Sequence, residues 1–248
     1  RSGVPPHRQM IWYDRSGSER GRVAGPGGNP TISPDGTRDV VARIPPDRTT
    51  RPDIAILDLA KNLFSTVTSG PFASNSPLWS PKGDSIVFTS PRNGKPFALF
   101  VRSAAGGGDE RPLLELPVSV IPNAWSPDGR TLIYRRSSGG RNAQTPNGSD
   151  LWALSLEDGR TSPLVQTPFG EREAQFSPDG RWFAYQSNES GRFEIYIKPF
   201  PDDGRTRHQV SSEGGVQVRW PRNSRELFYV GLDDTLMAVP IHTSPTGD

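Results

Sequence analysis

His7, His208 and His242 are the only imidazoles the chain offers for acid–base work or metal ligation. None has a second histidine or a carboxylate at the spacing that would set two ligands and a general base on one helical face. A catalytic histidine needs a partner that orients it. These three read instead as solvated surface. No Gly-x-Ser-x-Gly elbow occurs, and no Gly-rich phosphate loop followed by Lys and a helix. Gly106-Gly107-Gly108-Asp109-Glu110 is a Gly-rich turn without that Lys. Asp202-Asp203-Gly204 lacks the remaining ligands of a calcium loop. Cysteine is absent, which excludes disulfides and thiolate chemistry. The residue types predict no catalytic group, no metal and no cofactor in this segment.

What the chain repeats is a turn. Phe176-Ser177-Pro178-Asp179-Gly180 precedes the apolar run Trp182-Phe183-Ala184-Tyr185. The same turn recurs as Ile32-Ser33-Pro34-Asp35-Gly36, Trp79-Ser80-Pro81-Lys82-Gly83 and Trp125-Ser126-Pro127-Asp128-Gly129. A degraded copy is Trp220-Pro221-Arg222-Asn223-Ser224. Proline pre-sets φ at the first turn position. Asp35, Asp128 and Asp179 can hydrogen-bond their own backbone, and Gly36, Gly129 and Gly180 supply positive φ without steric cost. These six read as structural turn residues. Lys82 and the Asn223-Ser224 pair depart from the pattern, and a turn tolerates both more easily than a shared ligand site would.

The turns at 33–36, 80–83, 126–129, 177–180 and 221–224 recur at intervals of 44 to 51 residues. Each follows a short strand and precedes an apolar one, such as Ile86-Val87-Phe88 or Leu132-Ile133-Tyr134. A third strand alternates, as in Asp150-Leu151-Trp152-Ala153-Leu154, and a fourth is more polar. Four-strand units at such a period predict an all-β fold, a β-propeller of four-stranded antiparallel blades. The 26 Gly and 26 Pro among 248 residues agree, since both oppose helix interiors. Met10–Tyr13 and Gly21–Ala24 read as a third and fourth strand, with Gly25–Pro30 as a loop. The other end supplies a first, second and third strand. Keeping these ends separate predicts six blades, the last pair incomplete, rather than five. The expectation is a single propeller domain over 1–248, a fragment or processed piece of a longer protein, since it starts at Arg1.

The repeated Trp/Phe-Ser-Pro-Asp-Gly turn and following apolar strand resemble the WD40-like repeat of TolB-type propellers. The stretch from Glu171 to Pro201 is similar, more specifically, to the propeller that follows the kinase domain of bacterial receptor-type serine/threonine kinases. Ile11-Trp12-Tyr13-Asp14-Arg15-Ser16-Gly17 fits that family too. The resemblance implies a non-catalytic sensor or protein-interaction module on the extracytoplasmic side, reaching the membrane only through an anchor elsewhere in the parent chain. Two alternatives stand beside it. One is a periplasmic TolB-like module that binds envelope proteins. The other is the propeller segment of a prolyl-oligopeptidase-type peptidase, or a lyase or hydrolase with its site in the channel.

In such propellers the first strand of each blade lines the central channel. That placement nominates Asn123, Glu173, Gln175, Gln217 and Arg219, with Asn29, Thr31, Asn75 and Pro77 as equivalents in the earlier repeats. Polar groups converging there fit a protein or small-ligand partner, although a polar ring around water needs no ligand. Nucleic acid is not expected. The 29 basic and 27 acidic residues nearly balance, and no basic run interleaves with aromatics.

Overall fold

The computed structural model describes residues 9–26, 28–45, 51–92, 94, 96–137, 148–221 and 225–242. Every regular element among them is a β-strand. The expected turn at 221–224, most of the long loop at 137–149, and His7 lie outside the described residues.

The chain divides into two compact units, residues 1–117 and 118–248. In the first unit, β1 (Gln9–Tyr13) and β2 (Glu19–Pro26) form a two-stranded sheet. The first blade follows as β3 (Gly28–Ile32), β4 (Arg38–Arg43), β5 (Asp53–Asp58) and β6 (Leu63–Thr66). The second is β7 (Asn75–Trp79), β8 (Ser85–Pro91), β9 (Phe97–Ser103) and β10 (Arg111–Leu114).

The second unit holds three blades. The third blade is β11 (Val120–Trp125), β12 (Thr131–Ser137), β13 (Ser149–Ser155) and β14 (Thr161–Val165). The fourth is β15 (Glu171–Phe176), β16 (Trp182–Ser187), β17 (Glu194–Pro199) and β18 (His208–Gln209). The fifth has three strands: β19 (Val216–Arg219), β20 (Glu226–Val230) and β21 (Leu236–Pro240).

Within each blade, consecutive strands pair antiparallel, so the first strand is always a sheet edge. Among the described residues the structure thus has five blades and, in β1–β2, the two strands that the sequence assigned to an incomplete sixth. One boundary needs correction. The loop expected at 25–30 is largely strand, because β2 runs to Pro26 and β3 begins at Gly28. Proline and glycine are tolerated there because β3 is an edge strand with one face of its backbone unpaired.

The turns explain their own sequence. In the first, third and fourth blades the Ser Oγ donates to the Asp Oδ1 two residues on, at 2.5–2.6 Å. The same Oδ1 accepts the backbone N–H of the residue two further along, at 3.0–3.1 Å. The Ser Oγ also accepts a backbone N–H from the start of the second strand, as in Trp182 N at 3.0 Å. The Ser33 hydroxyl and the Thr37 backbone hold the Asp35 carboxyl down at about 2. Lys82 has no carboxylate to offer, and Asp84 takes over: Ser80 Oγ donates to its Oδ1 at 2.7 Å. Gly180 sits at φ 72°, and a Cβ there would meet Pro127 Cδ of the preceding blade's turn at 3.3 Å. Glycine is therefore needed twice over, for the backbone conformation and for the close approach.

Blades bury their apolar faces against each other. In the first unit Val40, Ile54 and Ile56 of the first blade pack on Trp79, Ile86 and Phe88 of the second. In the second unit the residues of β16 alternate. Phe183 and Tyr185 join Ile133 and Leu151 of the third blade. Trp182 and Ala184 join Val218, Trp220 and Leu227 of the fifth. The aromatic residue before the turn belongs to these seams at Trp79, Phe176 and Trp220, whereas Trp125 is half-buried and donates to the Gly129 carbonyl at 3.1 Å. Ile32, in the first copy, does not; it is exposed.

Candidate functional site

Each first strand carries an irregularity. Pairing slips between Asn75 and Leu78, between Arg172 and Gln175, and between Val216 and Arg219. The extra residue of each bulge lies four positions before the turn: Ser76, Glu173 and Gln217, at φ 51°, 57° and 55°. None is glycine. A non-glycine residue held in the left-handed region costs about 1–3 kcal/mol, and a bulge re-aims its side chain out of the sheet's alternation. The third blade has Pro122 at this position, whose ring fixes φ negative. Its slip falls between Pro122 and Ala124, beside Asn123.

In the second unit the bulge at Glu173 gathers charge. Arg219 of β19 places Nη1 3.8 Å from Glu173 Oε2, with both side chains partly exposed. The same Nη1 donates to the Val218 carbonyl at 2.8 Å, which steadies the guanidinium. Of the five nominated residues, the fold brings Glu173 and Arg219 together. Gln217 is exposed on the neighbouring strand. Gln175 goes elsewhere. Its Oε1 is 3.5 Å from the Trp220 backbone N, so it ties the fourth blade to the fifth. Thr31 does the same in the first unit, donating to the Pro77 carbonyl at 3.2 Å. Asn123 donates to the Pro122 carbonyl at 3.3 Å, while its Oδ1 is buried without a partner.

The structure adds residues that sequence reasoning missed. Arg135 on β12 pairs in register with Leu151, a member of the cluster shared with the fourth blade. Burial holds its guanidinium below the ordinary value; Glu173 pulls it back up, and Arg172 pushes it down. Arg172 lies with its guanidinium 3.7 Å from the Phe193 ring centroid, and its Nε is buried without a partner. Its register partner Gln186 is 1% exposed, and neither polar atom of that amide has a partner. Arg135 and Arg172 sit in ordinary strand positions, and only the pairing of strands shows which face each takes: Arg135 that of Leu151, Arg172 that of Gln186.

A second buried group lies one residue upstream of Arg172. Glu171 is fully buried, and its carboxyl is raised to about 7. Burial is the main cause; the Thr167 hydroxyl opposes it and the charge of Asp150 adds to it. Thr167 Oγ1 donates to Oε1 at 2.5 Å, and Ser187 Oγ donates at 3.3 Å. His208 and His242 are exposed. Among the described residues no group of three or more His, Asp or Glu is arranged to hold a metal ion.

No family model matches the chain. A peptidase of Bacillus subtilis (strain 168), "Uncharacterized peptidase YuxL", is 25% identical over 192 residues, covering 64% of this chain and 29% of its own length. Dipeptidyl-peptidase 5 of Porphyromonas gingivalis is 25% identical over 120 residues, covering 45% of this chain and 17% of its own. The chain thus spans less than a third of these relatives. Among solved structures, a putative TolB from Agrobacterium tumefaciens superposes with a TM-score of 0.73 at 18% identity, covering 92% of this chain and 86% of that one. One of two prolyl endopeptidases superposes with a TM-score of 0.59 at 13% identity, covering 91% of this chain and 37% of that one. An oligogalacturonate lyase in complex with manganese gives 0.62 at 12% identity, covering 96% and 73%. At these identities the structures show the fold alone: a TolB-like β-propeller.

The expectation of a non-catalytic kinase sensor segment is corrected by these findings. Two curated relatives carry peptidase names and a third is a Tol-Pal system protein TolB of Anaeromyxobacter dehalogenans, and the propeller is shared with prolyl endopeptidases.

Proposed function

We propose that this chain is the propeller segment of a longer peptidase, the part that meets a peptide substrate, while the nucleophile lies outside these 248 residues. The observation that carries this reading is the match to a peptidase-named relative over 64% of the chain. The bulged edge of the second unit supports it. Glu173 and Gln217 sit where the backbone is strained, and with Arg219 they present polar groups partly open to solvent. Rigid strands with a few convergent polar groups suit selection of a flexible ligand. The test is hydrolysis by the full-length parent protein of a panel of aminoacyl-, dipeptidyl- and prolyl-p-nitroanilides. Release of nitroaniline by the parent, and its loss on deleting this propeller, is the expected result. A folded parent that hydrolyses none of them overturns the reading.

The TolB superposition favours a second reading, a module that docks an envelope protein. An extracytoplasmic location belongs to both proposals and rests on the TolB likeness. Fractionation of the parent protein with the cytoplasm alone would remove it.

A further inference from the structure

The fifth blade stops one strand short of its neighbours. The third strands β5, β9, β13 and β17 each pair with a fourth, while among the described residues β21 is a sheet edge. Strand register makes Ile54, Leu99, Leu151, Ile195 and Leu236 equivalent positions, each paired with the fifth residue of its blade's second strand. The first four are fully buried; Leu236 is 67% exposed. In three seams the cover is of one kind. Ile54 shares a core cluster with Trp79 and Ile86 of the following blade, Leu151 with Phe176 and Phe183, and Ile195 with Trp220 and Leu227. Each time an aromatic from just before the turn and an apolar residue of the second strand close over the position. Leu236 sits in an apolar patch. Its register partner is Val230, and Ala238 pairs with Phe228. Leu227, Tyr229 and Val239 alternate with these and pack on the fourth blade. Phe228, Val230, Leu236 and Ala238 therefore form the blade's other face, half-buried on β20 and exposed on β21. An exposed apolar face beside an unpaired strand edge invites a partner.

We propose that this face and the free edge of β21 receive a further piece of the same polypeptide: a fourth strand, then a strand–turn–strand unit of the repeat. The fourth strand pairs with β21, and the pre-turn aromatic of the unit that follows closes over Leu236. The order of the chain favours this occupant. In the four complete blades the fourth strand begins five to nine residues after the third ends. The residue before each equivalent position precedes the next turn by 27 or 28 residues: Asp53 to Ser80, Ala98 to Ser126, Asp150 to Ser177 and Glu194 to Pro221. The same interval from Thr235 sets that turn about 14 residues past Asp248. A second copy of the chain fits less well, since its Trp79, Phe176 and Trp220 are already buried in its own seams. This holds for a peptidase parent and for an envelope-docking one alike.

The chain has no cysteine, so a thiol placed at one position reports on that position. Leu236→Cys is made in the 248-residue chain and in the parent protein. Alkylation by iodoacetamide is timed at that residue by peptide mass spectrometry. In the 248-residue chain the thiol is expected to react as fast as one at Leu63→Cys, an exposed position of the first blade. In the parent it is expected to react at least about 100-fold more slowly, with the Leu63→Cys rate unchanged. Deleting about 50 residues after Asp248, one repeat, is expected to restore the fast rate. Ala184→Cys, fully buried in the seam of the fourth and fifth blades, stays unreactive in each form if the fold is intact. Equal rates at Leu236→Cys in the parent and the 248-residue chain overturn the proposal. So does protection that survives the deletion, because another segment then lies on the face. Protection in the 248-residue chain that grows with concentration, alongside a dimer on sizing, assigns the face to a second copy and overturns it too. A parent sequence without such a turn after Asp248 has the same effect. Hydrolysis by the parent is a separate measurement, and none of these outcomes bears on it.

Discussion

Four residues separate two different kinds of site on one strand of the fourth blade. At the turn, Ser177, Asp179 and Gly180 satisfy one another. At the bulge, Glu173 sits in a strained backbone conformation, meets Arg219 at a loose 3.8 Å, and has the buried, unsatisfied Arg172 Nε next to it in the chain. A polar residue that is fully bonded to its own neighbours has finished its work when the chain folds. One held in a costly conformation beside unpartnered donors has not. The recurring aspartate, the more conspicuous feature in the sequence, is bonded into the framework, and the quieter positions upstream are where an interaction surface is proposed.

Four changes test this division, and the largest strikes the framework. Phe176→Ala removes a side chain buried between the third and fourth blades and packed edge-on against Phe200 at 5.0 Å. It should lower unfolding free energy by about 3–5 kcal/mol in urea titrations. A cost below about 1 kcal/mol would mean the seam repacks and that the aromatic before the turn is not structural.

Ser177→Ala should cost about 1–3 kcal/mol, because the buried Trp182 N–H loses its acceptor. Adding Asp179→Ala in the same molecule should cost less than the sum of the two single changes, since both remove one network. Full additivity would contradict the claim that the turn is a closed unit.

The third test is pH. The Glu171 carboxyl rises from 4.5 in the unfolded chain to about 7 in the fold. Between those values the native state binds more protons than the unfolded one, so stability rises as pH falls from about 7 to about 4.5. The slope is up to about 1.4 kcal/mol per pH unit. Asp39, raised by burial to about 6, adds in the same direction. Glu171→Gln should flatten the urea midpoint across this window. An unchanged slope would show that Glu171 is ionised in the fold.

The smallest effect has the opposite sign. Glu173→Gly relieves the positive φ and should raise stability by up to about 1 kcal/mol. Loss of stability would mean that the bulge is held for structural reasons, and would erase the contrast with the turn.

The turns were legible because every atom they need lies within five residues. Ser-Pro-Asp-Gly carries its own bonding, and even the Lys82 exception is resolved locally by Asp84. Repetition then made the blades countable, and the alternating strands named most of the core. The site was only half legible. Glu173 and Arg219 were found from their distance to a turn, while Gln175 was found by the same rule and proved to be a seam residue. Arg135, Arg172 and Gln186 had no signal, since an arginine or glutamine within an apolar strand looks the same whether it faces solvent or a neighbouring blade.

The sequence by itself determined an all-β chain of four-stranded blades, because local turn chemistry and strand alternation act over a few residues at a time. The tertiary structure decided where the strands slip, which arginine meets Glu173, and which glutamates lose their water. Those outcomes depend on strand register and blade packing, which join residues far apart in the chain, such as Glu173 and Arg219.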